Sequence, residues 1–350
     1  MPGNGGSGAD GGTNRPGGRR TRTVKLASYG VPPSSVGAVR VKPRVSGLFV
    51  LLLPIALTVS GWVVAAPAPA ASPGSAPDRT YAVGVRTLDI GHGTARPLRV
   101  TIWYPARGEP PDGSPPAPRR DAPVAAGRFP IVLFSHGLHS LPELHAPLTS
   151  RWASTGFVVA APAYPHTKRA ARRFDRGDIR RQPGDAWRVI QHLGRLDQDS
   201  DDQFAGHLSV TRIGAVGHSA GGYTTAGLFA PGHSPWLRGG IVIGGAGMPG
   251  GTFGGPPAPL LFVHGDADRV VPLTRGRDAF RRVPWPKAFL TVRGQGHGEY
   301  LIPGRRGFAQ VLAATTEFLR WTLYGDVRAR RDLPTGAADP GITAFVDGLD

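Results

Sequence analysis

Six short, predominantly apolar runs recur along the second part of the chain: PIVLFS (130–135), FVVAAP (157–162), RIGAVG (212–217), GGIVIGG (239–245), PLLFVH (259–264) and AFLTV (288–292). Runs this short without polar alternation describe strands buried on both faces. Between them lie APLTSRWAST, PGDAWRVIQHLGRL, TRGRDAFRRV and GFAQVLAATTEFLRWTLYG, whose apolar residues recur at helical spacing. Strands alternating with helices predict an α/β protein with a mostly parallel central sheet covered by helices on both faces. YAVGVRTLDI (81–90) and PLRVTIWYPA (97–106) add an opening antiparallel pair with a turn at Gly91 to Gly93, for about eight strands in all. In such sheets ligands collect at the carboxyl ends of the strands, which is where functional residues are sought.

Directly after the run RIGAVG stands HSAGG, and Ser219 is bracketed by Gly217 and Gly221. With 51 glycines in 350 residues a bare Gly-x-Ser-x-Gly is a weak signal. Its position is what gives it weight. A serine on a sharp strand-to-helix turn needs neighbours without bulk, and a helix beginning near Ala220 would aim its first backbone N–H groups at a developing oxyanion. A serine hydroxyl becomes a nucleophile only when a base takes its proton. GQGHGEY supplies His297 on a glycine-rich turn after the last apolar run. A carboxylate must then orient the imidazole, and HGDADRVVP offers Asp268, with Asp266 as runner-up that shapes the turn. The second oxyanion donor is expected from the loop after an early central strand, where SHGLHS places the N–H of Leu138.

Other chemistries are weaker here. There are no cysteines, so disulfides, thiolate metal sites and a thiol nucleophile are excluded. His136, His139 and His145 sit close in sequence, but only Glu143 joins them, so no metal is expected; His218 and His264 read as structural. Gly245 to Gly250 match a dinucleotide-binding glycine pattern, yet the Gly- and Pro-rich residues after them cannot open the helix that would receive a pyrophosphate. That segment reads as a loop near the cleft, and no cofactor is expected.

The formal net charge is +17, of which +7 falls on residues 1–70 and +10 on the remainder. The densest basic run, Lys168 to Arg181, reads as a solvated face or as a surface that meets something anionic. Only Phe174 interrupts it with an aromatic, so nucleic acid is not an expected partner. Residues 1–46, rich in Gly, Pro and Arg, read as a disordered basic segment. An uncharged stretch, GLFVLLLPIALTVSGWVVAA, follows Arg40, Lys42 and Arg44, and small residues come after it. Residues 47–70 thus read as an export signal, with a single-pass anchor as the alternative, and residues 71–350 as one domain with its core at about 80–325.

Taken together, VTIWYPA, FPIVLFSHGL, GHSAGG, HGDADRVVP and GQGHGEY stand in the order found in the α/β-hydrolase superfamily. The chain resembles its bacterial serine esterases, which are similar to dienelactone hydrolase, platelet-activating-factor acetylhydrolase and cutinase-type hydrolases. The resemblance implies an enzyme without cofactor, and the export-type segment 47–70 predicts a secreted or cell-envelope location. Such an enzyme would hydrolyse small-molecule, lipid or polymer esters of carboxylic acids through an acyl-enzyme on Ser219. Departures are visible. Dienelactone hydrolases use a cysteine where this chain has Ser219. Polyester hydrolases carry an aromatic where Leu138 stands and a tryptophan where this chain has GGAGMPGG, with Trp236 lying ahead of that strand. A prolyl-oligopeptidase-like peptidase resembles the same elbow but carries a large N-terminal propeller. A non-catalytic protein binding anionic surfaces through the basic run is the remaining alternative.

Overall fold

A computed structural model describes residues 76–110 and 117–350. The expected segments 1–46 and 47–70 lie outside the described residues. In chain order the elements are β1 (Ala82–Ile90), β2 (Leu98–Ala106), β3 (Arg119–Arg120), β4 (Phe129–Ser135), α1 (Ala146–Ser154), β5 (Val158–Ala163), α2 (Gln182–Leu196) and β6 (Leu208–His218). They continue with α3 (Ala220–Leu228), β7 (Leu237–Ile243), β8 (Leu260–Gly265), α4 (Leu273–Arg282), β9 (Lys287–Val292), α5 (Phe308–Leu319), α6 (Val327–Ala337) and β10 (Thr343–Gly348).

The strands form one sheet in the order β10-β9-β8-β7-β6-β4-β5-β2-β1-β3. The six central strands, β5, β4, β6, β7, β8 and β9, pair in parallel. β2 joins β5 antiparallel and β1 joins β2 antiparallel, as the opening pair predicts. Every residue of β4, β5 and β8 is buried, which explains their lack of polar alternation. Successive side chains of β4 serve opposite cores: Ile131 and Leu133 pack with α2 residues Val189 and Leu193, Val132 and Phe134 with Trp152 of α1 and Phe318 of α5. The sheet is thus the middle of three layers.

The expectation of about eight strands is corrected to ten among the described residues. β3 is a two-residue edge that pairs only with Gly84 and Val85. β10 pairs antiparallel with β9 and carries the core beyond residue 325, to Leu349. Preceding it, α6 escaped the sequence reading because its buried stripe is only Ala329, Leu333 and Ala337, among charged residues and an internal Pro334. Its start is fixed by Asp326, whose carboxylate accepts from the N–H groups of Arg328 and Ala329 at 3.0 and 3.4 Å.

One feature of the topology positions the site. From β4 the chain leaves toward β5 on one side, and from β6 it leaves toward β7 on the other. The carboxyl ends of β4 and β6 therefore open a crevice that no crossover covers, and two loops distant in sequence face each other across it.

Candidate active site

At the end of β6 the backbone turns through Ser219 at φ 58° and ψ −120° and enters α3 at Ala220. A non-glycine residue there costs about 1–3 kcal/mol, which the surroundings must offset. They do so by close approach. A Cβ on Gly217 would lie 2.1 Å from the carbonyl oxygen of Gly221, and one on Gly221 would lie 1.9 Å from that of Ser135. Both elbow glycines are therefore sterically required, since helix α3 starts directly against the end of β4.

The strained turn presents Ser219 Oγ to His297 Nε2 at 2.7 Å, and His297 Nδ1 lies 2.8 Å from Asp268 Oδ2. A carboxylate only accepts, so Nδ1 carries the proton and Nε2 is left to accept from the serine hydroxyl. Asp268 Oδ1 accepts from the N–H groups of Val270 and Val271 at 2.8 and 2.9 Å. Burial raises the Asp268 carboxyl, but the hydrogen bonds from His297, Val271 and Val270 outweigh it and hold the group below the ordinary carboxylate range. Asp266 serves the turn, accepting from Gly294 N–H at 2.6 Å. Gly265 is also forced to be glycine: a Cβ there would fall 2.2 Å from the Gln295 carbonyl, so the acid and histidine loops touch backbone to backbone.

The loop after β4 closes the other side. A Cβ on Gly137 would approach Ser219 Cβ to 3.0 Å, and the next residue, Leu138, lines the same cleft as Ser219 and Ala220. Among the described residues neither the Leu138 nor the Ala220 N–H donates to a protein acceptor. The structure thus brings together all five residues named from the sequence, Ser219, Asp268, His297, Leu138 and Ala220.

A family profile for chlorophyllase matches residues 104–234, a span from β2 through Ser219 and α3. The same chain shows the mostly parallel sheet with helices on both faces and the strand-to-helix elbow at Ser219. The chain has the α/β-hydrolase fold. At the level of the matched family, the finding supports hydrolysis of ester substrates. The matched span holds the elbow and the Leu138 loop and ends ahead of Asp268 and His297. No curated protein matches the chain in a sequence comparison.

Within this hydrolase fold the other histidines have definite places. His136 is 1% exposed. Its Nδ1 lies 2.7 Å from the Gly137 carbonyl and must donate to it, while its Nε2 accepts from Tyr164 N–H at 3.1 Å. Burial pushes its pKa down to about 4, against the Gly137 hydrogen bond, so the ring is neutral with both nitrogens committed. It is not free to bind a metal, and among the described residues no group of three His, Asp or Glu side chains is arranged for one. His218 Nε2 donates to the backbone carbonyl of His297 at 2.6 Å, and burial lowers its pKa to about 4. It holds the loop that carries His297 rather than taking part in the serine line. His264 Nε2 donates to the Val271 carbonyl at 2.8 Å and so braces the turn that supplies two bonds to Asp268. Reading His218 and His264 as structural understated how directly they hold the site, because sequence does not reveal which carbonyl a ring nitrogen meets.

The cleft over Ser219 has a volume of about 480 Å³. Its walls combine Leu138, Tyr223 and Val270 with Met248 and Pro249 from the loop after β7. That loop opens no helix, as its composition predicts. Arg180 and Met248 also line a neighbouring, smaller groove of about 210 Å³ beside Phe253. Trp236 is exposed and lines neither.

Proposed function

We propose that the protein is a serine hydrolase of carboxylic esters that works through an acyl-enzyme on Ser219. The observation that carries this reading is the continuous hydrogen-bonded line from Ser219 Oγ through His297 to Asp268, at 2.7 and 2.8 Å. Its Ser219 end opens into a cleft that Leu138 and Ala220 also line. His297 Nε2 takes the serine proton as Oγ attacks the ester carbonyl. Asp268 fixes the tautomer and stabilises the imidazolium. The new oxyanion receives the N–H groups of Leu138 and Ala220. Collapse expels the alcohol, which takes the proton from His297. Water then attacks the acyl-enzyme by the same route, with His297 as base, and the carboxylic acid leaves from a regenerated Ser219. These steps use no cofactor. Export of the enzyme is proposed from the sequence of residues 47–70 alone.

The test is hydrolysis of p-nitrophenyl esters of increasing acyl length by the purified protein and by Ser219→Ala. Turnover should vanish in the variant, and a stoichiometric organophosphonate should label the wild type on Ser219. A folded wild type that turns over no ester and takes no label would overturn the proposal.

A further inference from the structure

The cleft that holds Ser219 is lined by three arginines and by no carboxylate. Arg176 and Arg180 come from the short 3₁₀ helix Arg176–Arg181, and Arg275 comes from the first turn of α4. Among the described residues none of the three has an acidic partner, so their charge in the cleft is not offset by a carboxylate. Their placement is held rather than loose on the side of Arg176 and Arg180. Between them, Asp178 is 3% exposed and accepts a bidentate pair from Arg96 at 2.7 and 3.0 Å. Arg96 also grips Asp185 on α2. With Asp178 drawn inward, Arg176 and Arg180 are left on the outside of the turn, in the cleft wall. Asp175, the nearest acid in sequence, is engaged with Gly177 N–H at 2.8 Å.

Tyr223 lines the same cleft as the three arginines. It lies in the first turn of α3, where its N–H bonds back to the Ser219 carbonyl at 3.3 Å, one helical turn of backbone past the nucleophile. Its phenol lies in the same cleft. Burial pushes its ionisation up, the charges of Arg275 and Arg176 pull it down, and the charge of Asp268 adds to the rise. Among the described residues the hydroxyl has no hydrogen-bond partner. The three guanidinium groups can only donate and the phenol O–H can donate beside them, so the complement of this wall of the cleft is an anionic oxygen group.

Resting on the ester-hydrolase reading, we propose that Arg176, Arg275 and Tyr223, with Arg180 beside the smaller groove, form a subsite for an anionic group of the substrate. The esters preferred would carry a carboxylate or phosphoryl group about one helical turn from the scissile carbonyl. The solvent-exposed arginines would act on capture and orientation rather than on the chemical step, so the gain falls mainly on KM and is eroded by salt.

Two matched pairs test this in the full chain. On the acyl side, the p-nitrophenyl monoester of adipic acid is compared with the same ester whose far carboxylate is a primary amide. On the alcohol side, 4-acetoxybenzoate is compared with 4-acetoxybenzamide. In at least one pair kcat/KM for the anion should exceed that for the amide by about 10-fold in roughly 0.02 M salt. The ratio should fall toward one at about 0.5 M salt and in the Arg176→Gln/Arg275→Gln double variant. Replacing the carboxylate by a phosphonate separates the sources: a higher ratio assigns the subsite to phosphoryl-bearing esters, an equal or lower one to carboxylates. Ratios at or below one in both pairs, or a preference that survives the double variant, would overturn the subsite while amide turnover leaves the hydrolase reading intact. A folded protein that turns over none of the four, and whose Ser219 takes no organophosphonate, would overturn the hydrolase reading and the subsite with it.

Discussion

Replacing His136 should separate stability from catalysis in a way that only a peptide-orienting role explains. The Gly137 carbonyl and the Leu138 N–H belong to one planar trans peptide, so they point in opposite directions. His136 Nδ1–H holds that carbonyl at 2.7 Å on the buried side, which turns the Leu138 N–H toward the cleft; Ser140 N–H supports the same oxygen at 3.3 Å. Nε2 does something different, accepting from the buried Tyr164 N–H. The amide nitrogen of asparagine replaces the Nδ1 donor, and the amide oxygen of glutamine replaces the Nε2 acceptor. His136→Gln therefore keeps the Tyr164 bond and loses the grip on the peptide. Losing an oxyanion donor outright reduces kcat about 10²–10³-fold. Because the Ser140 bond remains, a fall of about 10–100-fold at little-changed KM is expected. His136→Asn should retain most of kcat but leave Tyr164 N–H unpaired, at a cost of about 1–3 kcal/mol. For a domain of this size that lowers the melting temperature by roughly 2–4 °C per kcal/mol. The assay is steady-state hydrolysis of p-nitrophenyl butyrate beside thermal unfolding of both variants. If glutamine keeps kcat within about threefold, or if the two variants lose kcat and stability in parallel, the orienting role is wrong.

The remaining predictions concern the acid, the elbow and pH. Asp268→Asn should lower kcat by about 10⁴-fold through the wrong histidine tautomer, whereas Asp266→Asn should leave kcat nearly unchanged and lower only stability; equal kinetic losses would mean the acid is misassigned. Gly221→Ala places a methyl 1.9 Å from the Ser135 carbonyl and should yield no soluble folded enzyme, so recovery of a stable, active variant would contradict the elbow geometry. His136 has a folded pKa of about 4, below the value it regains on unfolding. The unfolded chain thus binds the extra proton, and stability is full above about pH 6.5 and falls toward pH 4, by up to about 3 kcal/mol from this ring. Chemical denaturation of the wild type and of His136→Asn at both pH values separates this ring from His145 and His218, which burial also lowers, and an equal slope in the two proteins would show that the His136 ring titrates normally.

Much of this protein was legible in its sequence because the signals involved are local. Burial on both faces strips polar alternation from β4, β5 and β8, so the parallel core could be read from apolar runs alone. The elbow could be read because a serine between strand and helix demands the bare Gly217 and Gly221. Asp268, His297 and Leu138 followed from their places after strands. Elements with little apolar content left no comparable trace, and α6 and β10 became visible only where Asp326 caps the one and β9 pairs with the other. Tertiary structure alone decided which nitrogen of His136 carries a proton and which carbonyl His218 holds. It also decided that Arg176, Arg180 and Arg275, dispersed in a uniformly arginine-rich chain, share one cleft with Ser219. Hydrogen-bond partners and charge convergence depend on segments far apart in sequence, and the order of β4 and β6 in the sheet is what brings them together.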